Sequence, residues 1–143
     1  MEETTKKVDN LLCNIHKLLI KYTKNNLKDY ELTVPRFKTL WMVSKLQPVN
    51  MSKLNGEMYM ANSTLTIIID RLVDDAFLER YRNPEDRREV LVEMTEKGKE
   101  ALEQLLEIRQ GLLEEALEDL QDNQRENLIT LLQPILQKLK EEL

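Results

Sequence analysis

A single cysteine, Cys13, excludes an internal disulfide framework, fits a reducing compartment, and leaves only an intermolecular bond open to that thiol. A single histidine, His16, has no second imidazole or second thiol beside it from which a metal site could be completed, so no metal is expected. Three glycines and four prolines in 143 residues leave no room for a glycine-rich phosphate loop, a collagen-like repeat or a low-complexity linker. No apolar run approaches the roughly 20 residues that a membrane helix needs, and the start MEETTKKVDN lacks the apolar core of a signal peptide. The chain is therefore expected to be cytoplasmic, with no membrane partner. There is no nucleophile elbow and only one histidine for acid–base work, while carboxylate pairs such as Glu114-Glu115 sit on solvated helix faces. Neither an enzyme nor a cofactor is expected.

What the chain has in abundance is charge, 33% of its residues, set in helical periodicity. One domain, residues 1–143, is the expectation from length. Val8, Leu11, Leu12, Ile15, Leu18, Leu19 and Tyr22 predict a first amphipathic helix from Thr5 to about Asn26. Thr33 before Val34-Pro35 starts a second helix, which Pro48 stops, and Asn50 or Ser52 caps a short third helix through Met58. After the turn Tyr59 to Ala61, a fourth helix runs from Asn62 to Asp75. Its apolar face is Leu65, Ile68, Ile69, Leu72 and Val73, and Ser63, Thr66, Ile67, Asp70 and Asp74 point away. A long helix from Glu96 to about Leu120 and a last one bent at Pro134 carry wider apolar stripes than one small domain can cover, which points to a homodimer.

Phe77–Tyr81 and Glu89–Met94 read as two strands around turn residues Asn83-Pro84-Glu85-Asp86. Arg82, Arg87 and Arg88 stand at the tip, with Arg80 just behind: a hairpin built to touch phosphate. The net charge of −5 does not oppose this, because it is unevenly placed. Residues 1–33 hold six basic and five acidic groups, residues 34–98 ten and ten, and residues 99–143 five and eleven. An acidic tail can point away from a polyanion.

The run LTVPRF, the segment TLTIIIDRLVDDAFLER, and Asp86-Arg87-Arg88 followed by LVEMTEKG together resemble the multiple antibiotic resistance regulator (MarR) family. The Asp-x-Arg spacing with its T-x-x-G close is far more specific than a bare helix-turn-helix. The resemblance implies a mainly α fold with a small β-hairpin wing: a winged helix-turn-helix at residues 33–95, and helices 1–30 and 96–143 forming a dimerisation layer. It implies a transcriptional regulator, a repressor by expectation, binding double-stranded DNA as a homodimer on a palindromic site. Asn62, Ser63, Thr64, Thr66 and Ile67 are the candidate readers in the major groove. Arg82, Arg87 and Arg88 are the candidate wing contacts, with Asp86 holding Arg88 for a narrow minor groove. Arg71 either binds phosphate or pairs with Asp74 or Asp75. A small-molecule effector between the helical layer and the DNA lobes is also implied, with His16, Arg36 and Trp41 as candidate contacts. The chain departs from the family pattern at Ala61, where a small polar cap is usual, at Tyr59, where glycine is usual, and at Ile67, where a basic reader is common. Two alternatives stay open. Cys13 could serve as a peroxide-sensing thiol, although Lys17 stands where the resembled hydroperoxide branch has tyrosine. The module could also be a dimeric interaction protein that no longer reads DNA.

Overall fold

The computed structural model describes Met1–Leu143. In chain order the elements are α1 (Glu2–Leu27), α2 (Val34–Leu46), β1 (Val49–Asn50), α3 (Met51–Met58), α4 (Asn62–Asp74), β2 (Leu78–Arg82), β3 (Val90–Met94), α5 (Glu96–Ala116) and α6 (Asp122–Glu141), with a 3-10 turn over Lys28–Tyr30. The chain is mainly helical, with one small antiparallel sheet, the winged helix-turn-helix arrangement expected from the sequence. No helix is long and apolar enough to cross a membrane.

The chain clusters into two compact units, Met1–Arg109 and Gln110–Leu143, with the break inside α5. In the first unit, local chemistry sets the helix starts. Thr33 accepts the N–H of Arg36 at 3.4 Å to begin α2, with Pro35 in the first turn, and Asn50 accepts the N–H of Lys53 at 2.8 Å to begin α3. The sheet has the order β1-β3-β2, with Val49 opposite Val92 and Leu78 opposite Met94. The third strand, β1, escapes sequence reading because two residues are too few to show a period of two. Leu40, Leu54, Leu65, Ile69, Leu72 and Val92 are fully buried at the centre of the core.

The segment Met94-Thr95-Glu96-Lys97-Gly98 acquires a physical meaning here. α4 ends with Ala76 in the left-handed region at φ 62°, the N–H of Ala76 on Val73 O at 3.0 Å and that of Phe77 on Leu72 O at 2.9 Å, a Schellman close. Thr95 accepts the N–H of Gly98 at 3.0 Å and donates its hydroxyl to Ala76 O at 2.6 Å. Lys97 donates to Asp75 O at 2.7 Å and lies over the Phe77 ring at 4.5 Å. Gly98 is required by contact: a Cβ there would stand 2.1 Å from the carbonyl oxygen of Phe77.

In the second unit α5 ends at Ala116, short of the expected Leu120, because Glu118 and Leu120 turn their N–H groups only three residues back, to Glu115 and Leu117. The leucine periodicity continues through that turn and so conceals it. Gln121 and Gln124 form a reciprocal capping box for α6. Arg125 closes the turn, with Glu114 at 2.6 Å and Leu117 O at 2.9 Å. No residue of this unit is buried, and Ile129, Leu131, Leu136 and Leu139 are each at least half exposed.

Gly98→Ala should destabilise the fold by about 3 kcal/mol, because the obstruction is backbone and cannot rotate away. Gly56→Ala, in open space on α3, should instead stabilise it by about 0.5–1 kcal/mol. Urea unfolding of the two variants measures both, and equal effects would contradict the contact.

Candidate nucleic-acid interface

Burial of Leu65, Ile68, Ile69 and Leu72 fixes the rotation of α4 and turns Asn62, Ser63, Thr64, Thr66 and Ile67 outward. Ile67 is 70% exposed, so nothing within this chain covers it. Thr66 donates its hydroxyl to Asn62 O at 2.9 Å, which leaves it only lone pairs to offer a ligand. Ala61 supplies no side-chain cap, so the first-turn N–H groups of α4 stay open and, with the helix dipole, favour a negative group there. Arg71 takes the second of its two expected roles, pairing with Asp75 at 3.3 Å on an exposed face.

Ion pairing also ties α4 to the wing. Arg80 on β2 bonds Asp70 on α4, which removes Arg80 from the free charge of the hairpin. Arg82 donates to Arg87 O at 2.8 Å and braces the loop from one side to the other. Asp86 to Glu89 is a turn, closed by the Glu89 N–H on Asp86 O at 3.0 Å, with Arg87 and Arg88 at its two corner positions. Asp86 acts on Arg88 through the backbone, its Oδ1 accepting the Arg88 N–H at 3.1 Å, and forms no ion pair with either corner guanidinium. An aspartate at the first position of such a turn bonds the backbone two residues on. That explains the Asp-x-Arg spacing without any contact to the arginine side chain. Arg87 and Arg88 are both exposed.

Sequence reading marked Asn50 as a helix cap but did not pair it with Glu89, whose bond to it joins the wing to the N-cap of α3. They are 39 positions apart, and no local spacing signals them. Asn83 donates to the other oxygen of Glu89 at 2.7 Å. The Asn83 amide first, and that of Asn50 second, hold the Glu89 carboxyl below the ordinary carboxylate range, against the opposite pull of desolvation. Beside these groups lies a groove of about 430 Å³, lined by Met51, Ser52, Asp86, Arg88 and Val90 among others.

The three candidate effector contacts do not meet in one cavity. Trp41 is half-buried, with Lys45 Nζ 4.7 Å and the Arg109 guanidinium 5.7 Å from its ring centre. It borders a cavity of about 240 Å³ with Lys38, Met42, Lys45, Glu57 and Met58, and neither Arg36 nor His16 lines it. His16 and Cys13 are exposed on α1, and the polar contact of Cys13 is Asp9, at 3.8 Å.

Comparison with known proteins coincides with this geometry. The MarR family model matches residues 32–90, from just before α2 to the first residue of β3. An uncharacterized HTH-type transcriptional regulator of Bacillus subtilis (strain 168), YsmB, is 28% identical over 136 residues, covering 95% of this chain and 90% of that relative. A MarR family protein from Bacillus stearothermophilus superposes with a TM-score of 0.81 at 28% identity, over 99% of this chain and 96% of its own. A mutant MarR from E. coli complexed with operator DNA gives a TM-score of 0.73 at 26% identity, over 91% of this chain and 94% of that one. The matched segment holds the helix-turn-helix and the Asp-Arg-Arg turn, and the fold match extends over nearly the whole length: residues 32–90 form a MarR-family winged helix-turn-helix segment, in a chain similar to MarR-type transcriptional regulators.

Proposed function

We propose that the protein is a homodimeric repressor that binds a pseudo-palindromic operator and loosens its hold when a small molecule binds. The observation that carries this reading is the pairing of an outward, uncapped α4 with two unpaired arginines at the corner of the wing turn. Residues 33–95 are the DNA-reading lobe, and helices 1–30 and 96–143 the dimerisation layer. α4 lies in the major groove, where Ser63 and Thr64 meet base edges or phosphate and Ile67 meets a thymine methyl. Arg87 and Arg88 enter the flanking minor groove, and Arg82 and Asp86 hold the loop that presents them. The effector sits beside Trp41, where Lys38, Lys45 and Glu57 frame a wall of Trp41, Met42 and Met58. The protein acts in the cytoplasm.

A second copy of the chain covers the apolar faces of α1 and α6. Leu11 and Leu18 on α1 and Leu131 and Leu139 on α6 are about 60% exposed in the single chain, an apolar area that an isolated protein rarely leaves in water. Leu131→Glu should shift the protein from dimer to monomer in sedimentation equilibrium and weaken operator binding with it. A wild-type chain that sediments as a monomer at micromolar concentration would exclude the dimer.

Selection from random DNA at two salt concentrations tests operator, symmetry and charge together. Half-sites about one helical turn apart are expected, with about 0.9 added to the salt slope per phosphate contact. Arg88→Ala should weaken binding most on A·T-rich flanks and lower the slope. Thr66→Ala and Ile67→Ala should change the preferred bases by about 1–3 kcal/mol at the contacted position and leave the slope alone. Asp86→Asn keeps an acceptor for the Arg88 N–H and should bind nearly as wild type, whereas Asp86→Ala should resemble a milder Arg88→Ala. Wild-type affinity and slope in Arg88→Ala would defeat the wing assignment.

Cys13 is outside this mechanism. Organic hydroperoxide should release DNA no faster from the wild type than from Cys13→Ser, measured by fluorescence anisotropy, and release confined to the wild type would restore the thiol as a sensor.

A further inference from the structure

Glu89 is held from both sides by amides whose direction is already fixed. Asn50 Oδ1 is occupied by the N–H of Lys53 at 2.8 Å, and Asn83 Oδ1 by the N–H of Glu85 at 3.0 Å. Each amide must therefore turn its NH2 group toward Glu89, and Asn50 meets Oε1 while Asn83 meets Oε2. Only a group that accepts on both sides satisfies that gap. A carboxylate does so, and a carboxamide, which must present one NH2 of its own, does not. The depressed proton affinity of Glu89 keeps it ionised at neutral pH and until acid below the usual carboxylate range.

The position of this link makes it more than local. β1 pairs with β3 through Val49 opposite Val92 and Asn50 opposite Leu91, and from Leu91 toward the tip β3 has β2 alone beside it. From Arg82 to Val90 every other side-chain hydrogen bond stays within the hairpin: Arg82 to Arg87, Asn83 to Glu85 and Glu89, Asp86 to Arg88. The bond from Asn50 to Glu89 is the one that crosses to the helix-turn-helix, and it arrives at the first turn of α3. Without it, the corner arginines hang on a two-stranded ribbon.

We propose that Glu89 is a positioning residue that clamps the wing to the N-cap of α3, fixes the span from α4 to Arg87 and Arg88, and thereby selects the base-pair offset between the major-groove site and its narrow minor-groove flank. The inference rests on the DNA-reading function proposed above. It gives Glu89 a part in specificity although Glu89 is not among the DNA contacts proposed above.

Full-length wild type, Glu89→Ala, Glu89→Gln, Asn50→Asp and the double variant Asn50→Asp/Glu89→Gln test it on operator duplexes whose A·T-rich flank is moved one base pair at a time. In the double variant the new carboxylate still caps α3 and accepts from the new carboxamide, whose oxygen still accepts from Asn83, so the clamp is rebuilt with its polarity reversed. Wild type should prefer one offset. Each single variant should lose roughly 3- to 10-fold there, the scale of one or two hydrogen bonds, and respond weakly to offset, with its salt slope unchanged because the arginines remain. The double variant should regain the wild-type profile. Nitrogen-15 relaxation of the Arg87 and Arg88 amides, without DNA, should show faster motion in the single variants and recovery in the double. A Glu89→Ala protein with the wild-type offset preference and amide order, or a double variant no better than its parents, overturns the clamp. A wild type that binds DNA with no offset preference overturns the positioning role and leaves the DNA reading intact, while a wild type that binds no DNA overturns both.

Discussion

The approach of α5 to the backbone of Phe77, with no side chain between them, is the constraint on which the winged helix-turn-helix depends. A Cβ on Gly98 would meet the Phe77 oxygen at 2.1 Å, so the first turn of α5 sits directly on the start of β2. The same few residues terminate α4: Phe77 donates to Leu72, Thr95 to Ala76 and Phe77, and Lys97 to Asp75. The last carbonyls of a helix need partners, and here Leu72 and Val73 find theirs in the Schellman close while the carbonyl of Asp75 takes Lys97 of the next helix. The end of α4, the first strand of the wing and the start of the long helix therefore share one hydrogen-bonded knot. A shift of any one of them breaks bonds belonging to the other two.

From that knot outward, charge is sorted by use. Of the hairpin's four arginines, Arg80 is taken by Asp70 and Arg82 by the carbonyl of Arg87, so both serve geometry. Arg87 and Arg88 keep their guanidinium groups free at the corner of the turn. Two adjacent cations on an exposed loop repel each other, and the surrounding ion pairs, all solvent-exposed, are each worth about 1 kcal/mol or less. The backbone turn closed by Asp86 and Glu89 is what holds the two charges together in the absence of a polyanion.

Elements whose signal is local were legible in the sequence. Thr33, Asn50 and the sequence Met94–Gly98 announce themselves by spacing, and the face of α4 follows from Leu65, Ile68, Ile69 and Leu72. What was not legible is pairing across distance. β1 is too short to carry a pattern, Asn50 and Glu89 meet across 39 positions, and Asp70 with Arg80 looks like two unrelated surface charges. The role of Asp86 was half legible: its spacing to Arg88 is the spacing of a side chain to a backbone N–H two residues on, and the sequence alone suggested the guanidinium instead. The α5 end was misplaced for the opposite reason, because leucines recur at helical spacing straight through a turn.

The three departures from the family pattern bear on a single question, which is how α4 meets a base pair. Tyr59 holds φ 51° although it is 65% exposed, so little burial offsets a left-handed conformation that costs a non-glycine residue about 1 kcal/mol or more. Ala61 leaves the first amides of α4 without a cap, and Ile67 places a bare hydrocarbon where a basic side chain would bond guanine. An uncapped amide turn attracts phosphate irrespective of sequence, while an exposed isoleucine gains only where a methyl group faces it. In the proposed complex, a reading face so composed draws affinity from the backbone and discrimination from thymine. Its sequence preference there depends on where the wing finds its narrow groove as much as on what α4 touches.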